Sequence, residues 1–316
     1  DTEVGFDDAF IQYVIGDWEI TLGQNNQVSP MEDRTSSLNI PFNERSSYIN
    51  AFGFAKIGSI AVTTSGGNWS AGIALQGDDF NNPESTNTSE TIGLEGRVTW
   101  APIYDRTPDG YQVLHLGLNY RYRDNAGGPD ASNNRGASYR YRARPQTGFG
   151  DRFVDTGSIA FAQDSFIGGE FGYQYNEFGM TAEYGVLDAT PQSGTTLGSF
   201  TPKFQGGYVD FFWSPTGDSR AYNAKDGSWG RVAPKRTLGS DDGIGSIVLG
   251  ARYDFLDLTD GTMDGGEQKG PTFQVTWQPL NFLKFQADYS HLDIERPNSA
   301  LSGSADVVTI RSQIEW

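Results

Sequence analysis

The sequence predicts an all-β fold, a transmembrane antiparallel β-barrel, and three observations carry that reading. Apolar and polar residues alternate with the two-residue period of a strand, about thirteen times along the 316 residues. The apolar faces tend to end in tyrosine or tryptophan, at Trp100, Tyr122, Tyr175, Trp277, Tyr289 and Trp316, as the aromatic girdles of a bilayer-embedded barrel do. The opposite faces carry ionised groups strand after strand, which a water-filled lumen tolerates. A soluble sandwich would bury the oily faces between two sheets. Alternation alone fits that as well, but length, strand number and glycine content favour the barrel.

Each element follows from its pattern. Ala9, Ile11 and Tyr13 give a weak first strand; Trp18, Ile20 and Leu22 give a second after a turn at Gly16 and Asp17. Ile60 and Val62 mark a third, and Trp69 to Leu75 a fourth after the turn at 65–68. Then come Ile92 to Trp100, Leu114 to Tyr122, Ile167 to Tyr175, Met180 to Val186, Val209 to Trp213, Ile247 to Phe255, Phe273 to Val275 and Trp277, and Leu283 to Tyr289. The last strand has Val308, Ile310 and Ile314 on one parity and Thr309, Arg311 and Gln313 on the other. We expect a single barrel domain over 1–316.

With the C-terminal end on the periplasmic side, short turns fall there and the long segments 25–55, 78–88, 124–165, 188–203, 257–269 and 294–303 fall outside. This register makes two demands. Tyr139 to Arg144, though strand-like, belongs to a loop or small hairpin, and the basic segment 215–242 sits at the inner mouth. Thirteen crossings is an odd number, whereas single-chain bacterial barrels are even and edge-free. Strands ahead of Asp1 are therefore expected, and a chain opening on Asp1 without methionine reads as a processed or trimmed form.

Composition removes several function classes. Only 36% of residues are hydrophobic and mean hydropathy is −0.50, with no apolar run near the ~20 residues of a membrane helix. The aromatic content of 13% argues against disorder. With no cysteine there is neither a disulfide framework nor a thiolate metal site. A net charge of −17 opposes nucleic-acid binding. No nucleophile elbow is present, so no catalytic residue and no cofactor is expected. His115 and His291 lack metal-ligand spacing, and Asp260, Asp264 and Glu267 read as an acidic solvated loop, so no metal is expected either.

A pore needs a lining instead of bond chemistry. The basic residues on lumen parity are Arg97, Arg121, Arg123, Arg252, Lys284 and Arg311. Arg140, Arg142 and Arg144 could fold into the outer mouth, while Lys225, Arg231, Lys235 and Arg236 crowd the inner one. Arginine suits phosphate or carboxylate because its planar fork donates two parallel hydrogen bonds. The alternative for each is an ion pair with a lumen carboxylate such as Glu95, Glu170, Glu183 or Asp254. The mixed-charge segment 26–55, with Glu32, Asp33, Arg34, Glu44 and Arg45, is long enough to fold inward and set the narrowest point, or else forms an exposed cap.

The chain resembles the phosphate-selective porin O and P family. The resemblance rests on DDAFIQY and ITLGQ near the start, on Glu44-Arg45-Ser46, on LHLGLNYRYRD at 114–124, on the loop at 216–236 and on GARYDFLDL at 250–258. It implies a sixteen-stranded, trimeric channel of the bacterial outer membrane, in contact with lipid and lipopolysaccharide, with three strands ahead of the residues seen here. It further implies an anion path in which Arg45 matches a family arginine and Asp7 a family acid near the constriction. Asp33 stands where phosphate-selective members place the constriction lysine, and Asn223 and Ala233 stand at inner-loop lysine positions. The expectation is passive diffusion of small hydrophilic solutes, anions such as phosphate among them. A general or other-nutrient porin, or a barrel that anchors surface or periplasmic partners, are the rivals.

Overall fold

The computed structural model describes residues 8–26, 28–54, 56–77, 91–125, 139–157, 161–192, 194–240, 242–296 and 302–315. In chain order, β1 (Ala9–Ile15) and β2 (Trp18–Asn25) precede two short helices, α1 (Met31–Arg34) and α2 (Ser47–Phe52). Four strands follow: β3 (Ile57–Ser65), β4 (Trp69–Gln76), β5 (Thr91–Thr107) and β6 (Gly110–Asn125). A small hairpin, β7 (Arg142–Ala143) and β8 (Val154–Asp155), interrupts the series before β9 (Phe161–Tyr175), β10 (Phe178–Pro191) and β11 (Lys203–Trp213). A second hairpin, β12 (Arg220–Asn223) and β13 (Ser228–Val232), precedes β14 (Ser246–Asp260), β15 (Met263–Leu280), β16 (Leu283–Glu295) and β17 (Gly303–Ile314).

The two hairpins apart, thirteen strands form one antiparallel sheet in the order β1-β2-β3-β4-β5-β6-β9-β10-β11-β14-β15-β16-β17. Each strand pairs with its sheet neighbours; Ile310 lies opposite Ala287, and Val308 opposite Tyr289. Because consecutive strands reverse direction, β1 and β17 run the same way and cannot pair antiparallel with each other.

The faces divide as a barrel requires. Ile310 is 82% exposed and Ile11 75% exposed, so the oily parity is no core. It is a belt for lipid. The belt's periplasmic rim carries Trp18, Trp69, Trp100, Tyr175, Trp213 and Trp277; its outer rim carries Tyr120, Tyr184, Tyr253 and Tyr289. The opposite parity is buried and polar, with Thr21, Glu95, Arg97, Asn119, Arg121, Gln174, Asp210 and Arg252 nearly inaccessible. Water does not fill this lumen, because other chain does.

The segment between β2 and β3 folds inward, as its length and mixed charge predict. Tyr48, Ile49 and Phe52 of α2 pack against wall residues Phe166, Leu187, Phe204, Tyr208 and Leu256. The wall admits them by being bare at chosen points: a Cβ on Gly206 would lie 2.5 Å from that of Tyr48. From the other end β12 and β13 rise into the lumen, where Tyr222 and Trp229 pack with Met31, Ala101 and Val113. The segment 215–242 thus begins at the inner mouth but plugs the interior. The Tyr139–Arg144 run forms one arm of the small β7–β8 hairpin, whose Tyr141 and Val154 also join the inner cluster. One expected outer loop does not exist: 257–269 continues β14 and β15 to a two-residue turn at Gly261 and Thr262. Leu256, Leu258 and Met263 are buried against the inserted segments, and that packing keeps the strands extended where Gly, Asp and Thr content reads as loop.

Candidate functional site

The wall arginines hold the inserted chain. Arg252 donates to Asp210 (2.8 and 3.0 Å) and to Glu32 of α1 (2.6 Å), sandwiched between the rings of Phe42 and Tyr208 at 4.4 and 4.7 Å. Glu32 in turn accepts the Ser46 amide (2.9 Å) and its own amide donates to Glu183 (2.9 Å). Asp254 accepts the Ser47 amide at 2.8 Å and Asp288 the Asn43 amide at 2.6 Å. Arg121 donates to the carbonyls of Gly53 (2.9 Å) and Phe52 (2.7 Å), while Arg123 pairs with Asp164, which also accepts from Tyr141. Further down, Lys284 donates to Leu38 O (2.7 Å) and Arg311 to Ser37 O (3.0 Å).

Arg97 does the same for the inner hairpin. It grips Glu170 with Nε and Nη2 (2.9 and 2.7 Å) and donates to the carbonyls of Asp226 (2.6 Å) and Gly227 (2.7 Å). His115, on the same wall, contacts Tyr222 OH at 2.7 Å and Glu170 at 3.1 Å. The two inserted segments also meet each other. Arg34 pairs with Asp226 at 3.2 Å, and the Trp229 amide donates to Thr35 Oγ1 at 3.2 Å.

A cleft of about 840 Å³ lies beside β1 and β2, lined by Arg34, Arg45, Lys56, Asp33 and Asp8 among others. The wall beside it is Phe10 of β1 and Gln24 and Asn25 of β2, while on β3 and β4 the small Ala61 and Ala74 pack against Val28 of the inserted segment. Each cation on the cleft has a partner: Lys56 meets Asp8 at 2.8 Å, Arg45 meets Asp33 at 3.8 Å and donates to the carbonyls of Glu32 and Thr35, and Arg34 meets Asp226. Burial pushes the Asp33 carboxyl above the usual aspartate range, with Arg45 and the Asn26 amide acting against it. Burial likewise lowers the Arg34 guanidinium, and Asp226 opposes the shift.

The residues expected to line the pore thus separate into groups. Arg34, Arg45 and Asp33 reach the cleft. Arg97, Arg121 and Arg252 are at most 6% exposed and Arg123 is tied to Asp164, so their positive charge acts from behind other groups. Lys284 and Arg311 lie half-buried toward the periplasmic end, and Arg231 and Lys235 are exposed there, with Arg231 paired to Glu315 (3.3 Å) and Lys235 donating to Asp109 O (2.8 Å). Lys225 lies instead at the tip of the inner hairpin, on a small hollow it shares with Arg34, Arg97 and Gly72. At the outer end Arg140 pairs with Asp155 from across the hairpin, which holds Asp155 below its usual range. Arg142 and Arg144 flank a surface hollow of about 480 Å³ together with Arg152. Asp7 lies outside the described residues. Sequence reasoning missed Lys56 and Asp226. Lys56 precedes a weakly patterned strand, and Asp226 sits in a turn whose inward course no local pattern announces.

A charged path past a loop folded into an aromatic-girdled barrel is the architecture of an outer-membrane porin. The chain belongs to the phosphate-selective porin O and P family, whose model matches residues 1–316, and its location is the bacterial outer membrane. An uncharacterized protein of Caulobacter vibrioides is 29% identical over 314 residues, 97% of this chain and 60% of that relative. The chain therefore spans about 60% of the length of this relative. Among solved structures, the outer-membrane expressed OmpT of Vibrio cholerae superposes with a TM-score of 0.54 at 8% identity, covering 98% of this chain and 81% of that one. At that identity the likeness speaks to the fold.

Proposed function

We propose that the chain forms the greater part of a passive channel, without catalytic activity, for small hydrophilic solutes with a modest preference for anions. The observation that carries this reading is how the lumen cations are satisfied. Lys284 and Arg311 donate to carbonyls of the inserted segment, and a carbonyl satisfies a donor without cancelling its charge. These two uncancelled charges at the periplasmic end are what favour anions, although the protein as a whole is acidic. Phosphate selectivity is a weaker expectation, because Asp33 and Asp8 sit beside the cleft's own cations. That pairing favours the second reading, a diffusion porin for general nutrients. A homotrimer embedded in lipid and lipopolysaccharide is the assembly we expect from the family. Reversal potentials across a planar bilayer in a potassium chloride gradient test the proposal. An anion-selective sign supports it; a cation-selective sign rejects it in favour of the general porin.

A further inference from the structure

A second cavity lies at the periplasmic end, enclosed by residues 38–41 of the inserted segment, by the inner hairpin and by the wall of β11, β14 and β15. Ile40, Phe212, Val232 and Val248 supply apolar wall, and charged groups of both signs border it, Arg220, Arg231 and Lys284 with Glu177, Asp218 and Glu315. Set in those walls are three buried groups with hydrogen-bonding capacity to spare. Ser246 is 1% exposed and Gln274 5% exposed, and neither Ser246 Oγ nor Gln274 Nε2 has a partner. Arg220 is 9% exposed and makes no ion pair among the described residues. It donates to Asn39 O at 3.1 Å and lies over the rings of Phe212 and Trp229. Buried donors without acceptors are costly, by roughly 1–3 kcal/mol each, so such a set is expected only where something accepts from them.

We propose that this cavity is a binding site for short-chain carboxylates, anions that carry an apolar tail. A bare phosphate would satisfy Arg220, Ser246 and Gln274 but would leave the walls of Ile40, Phe212 and Val248 without apolar partners. A carboxylate with two or three carbons behind it meets both needs. Size sets the limit: the enclosed space is about 60 Å³, room for roughly four to six water-sized spheres and hence for a ligand of that many heavy atoms. The site rests on the reading of the channel as one that admits anions, and it adds a chemical class to that reading.

The test uses the full-length porin in a planar bilayer carrying chloride current, with acetate, propionate, butyrate or inorganic phosphate titrated on the periplasmic side. Half-block is expected on the order of millimolar, tightening about three- to fourfold with each added methylene up to butyrate. Hexanoate should bind less tightly than butyrate, and phosphate should not follow the series. Gln274→Leu combined with Ser246→Ala should weaken butyrate block about tenfold and leave chloride conductance nearly unchanged, since both residues are uncharged and Lys284, the path cation that borders the cavity, is kept. Acetate, butyrate and phosphate blocking alike would overturn the proposal, as would a double variant with unaltered block. The wild-type series decides the matter even if the variant fails to assemble. Anion-selective reversal potentials without chain-length dependence would reject this site alone. Chain-length dependence with cation-selective potentials would reject the anion preference and keep the site.

Discussion

The two sides of this lumen use the same residue types to opposite ends. Along β5 to β16, long charged side chains reach inward and are consumed by the inserted segments and by wall carboxylates: Arg252 by Glu32 and Asp210, Arg121 by backbone carbonyls and Asp164, Arg97 by Glu170 and the turn at Asp226. Beside β1 and β2, Phe10, Gln24 and Asn25 border an open cleft, and the cations that face it come from the inserted segment itself. One side is a fastening and the other a passage. The lesson is that parity tells which way a side chain points, whereas only tertiary packing decides whether a solute can reach it.

The comparison breaks hardest at the fastening. Arg252→Ala leaves Glu32 and Asp210 buried without their cation, a loss of about 3–5 kcal/mol. Thermal unfolding in detergent should fall clearly, and single-channel conductance should rise as the segment around α1 loosens. Arg97→Ala should release the inner hairpin, with a smaller stability loss and noisier current. An effect of neither variant on conductance would place the inserted segments elsewhere than in the lumen.

On the passage side the effects are electrical. Asp33→Lys reverses one charge beside Arg45 and should raise the anion-to-cation permeability ratio by about three- to tenfold at low salt, less at high salt. An unchanged ratio would remove residue 33 from the path. Acid should mimic part of this. Because burial raises the Asp33 carboxyl, it takes up its proton at a higher pH than an ordinary aspartate, so it is charged above its own pKa and neutral below. Anion preference should therefore grow as pH falls from neutral, and Asp33→Asn should flatten that part of the profile. The smallest effect belongs to the exposed hairpin: Arg142→Ala should change stability by less than about 0.5 kcal/mol and alter conductance only at low ionic strength.

Much of the frame was legible before any coordinates. Thirteen strands, their lipid and lumen faces, the inward course of the first long segment and the small hairpin near Arg140 follow from period, parity and length. The division of arginines between fastening and passage was not, because the partners are remote. Arg252 and Glu32 stand 220 positions apart, and Arg97 lies 129 from Asp226. The carboxylates that sequence offered as partners were Glu95, Glu170, Glu183 and Asp254. Among them Glu170 takes Arg97, while Glu183 and Asp254 accept from backbone amides of the inserted segment. The 257–269 stretch misled for a related reason, since Leu258 and Met263 are buried in a cluster built from α2 and from the β7–β8 hairpin, both remote in sequence.

Because the sequence contains no cysteine, single introduced thiols report water access without background. Ser37 lines the cleft, whereas Ser47 is fully buried between α2 and the wall. The account predicts that a charged thiol reagent reacts with Ser37→Cys and lowers the current, while Ser47→Cys stays unreactive in the folded channel. Rapid modification of Ser47→Cys with Ser37→Cys protected would mean that solutes pass on the other side of the inserted segment, contrary to everything proposed for the cleft.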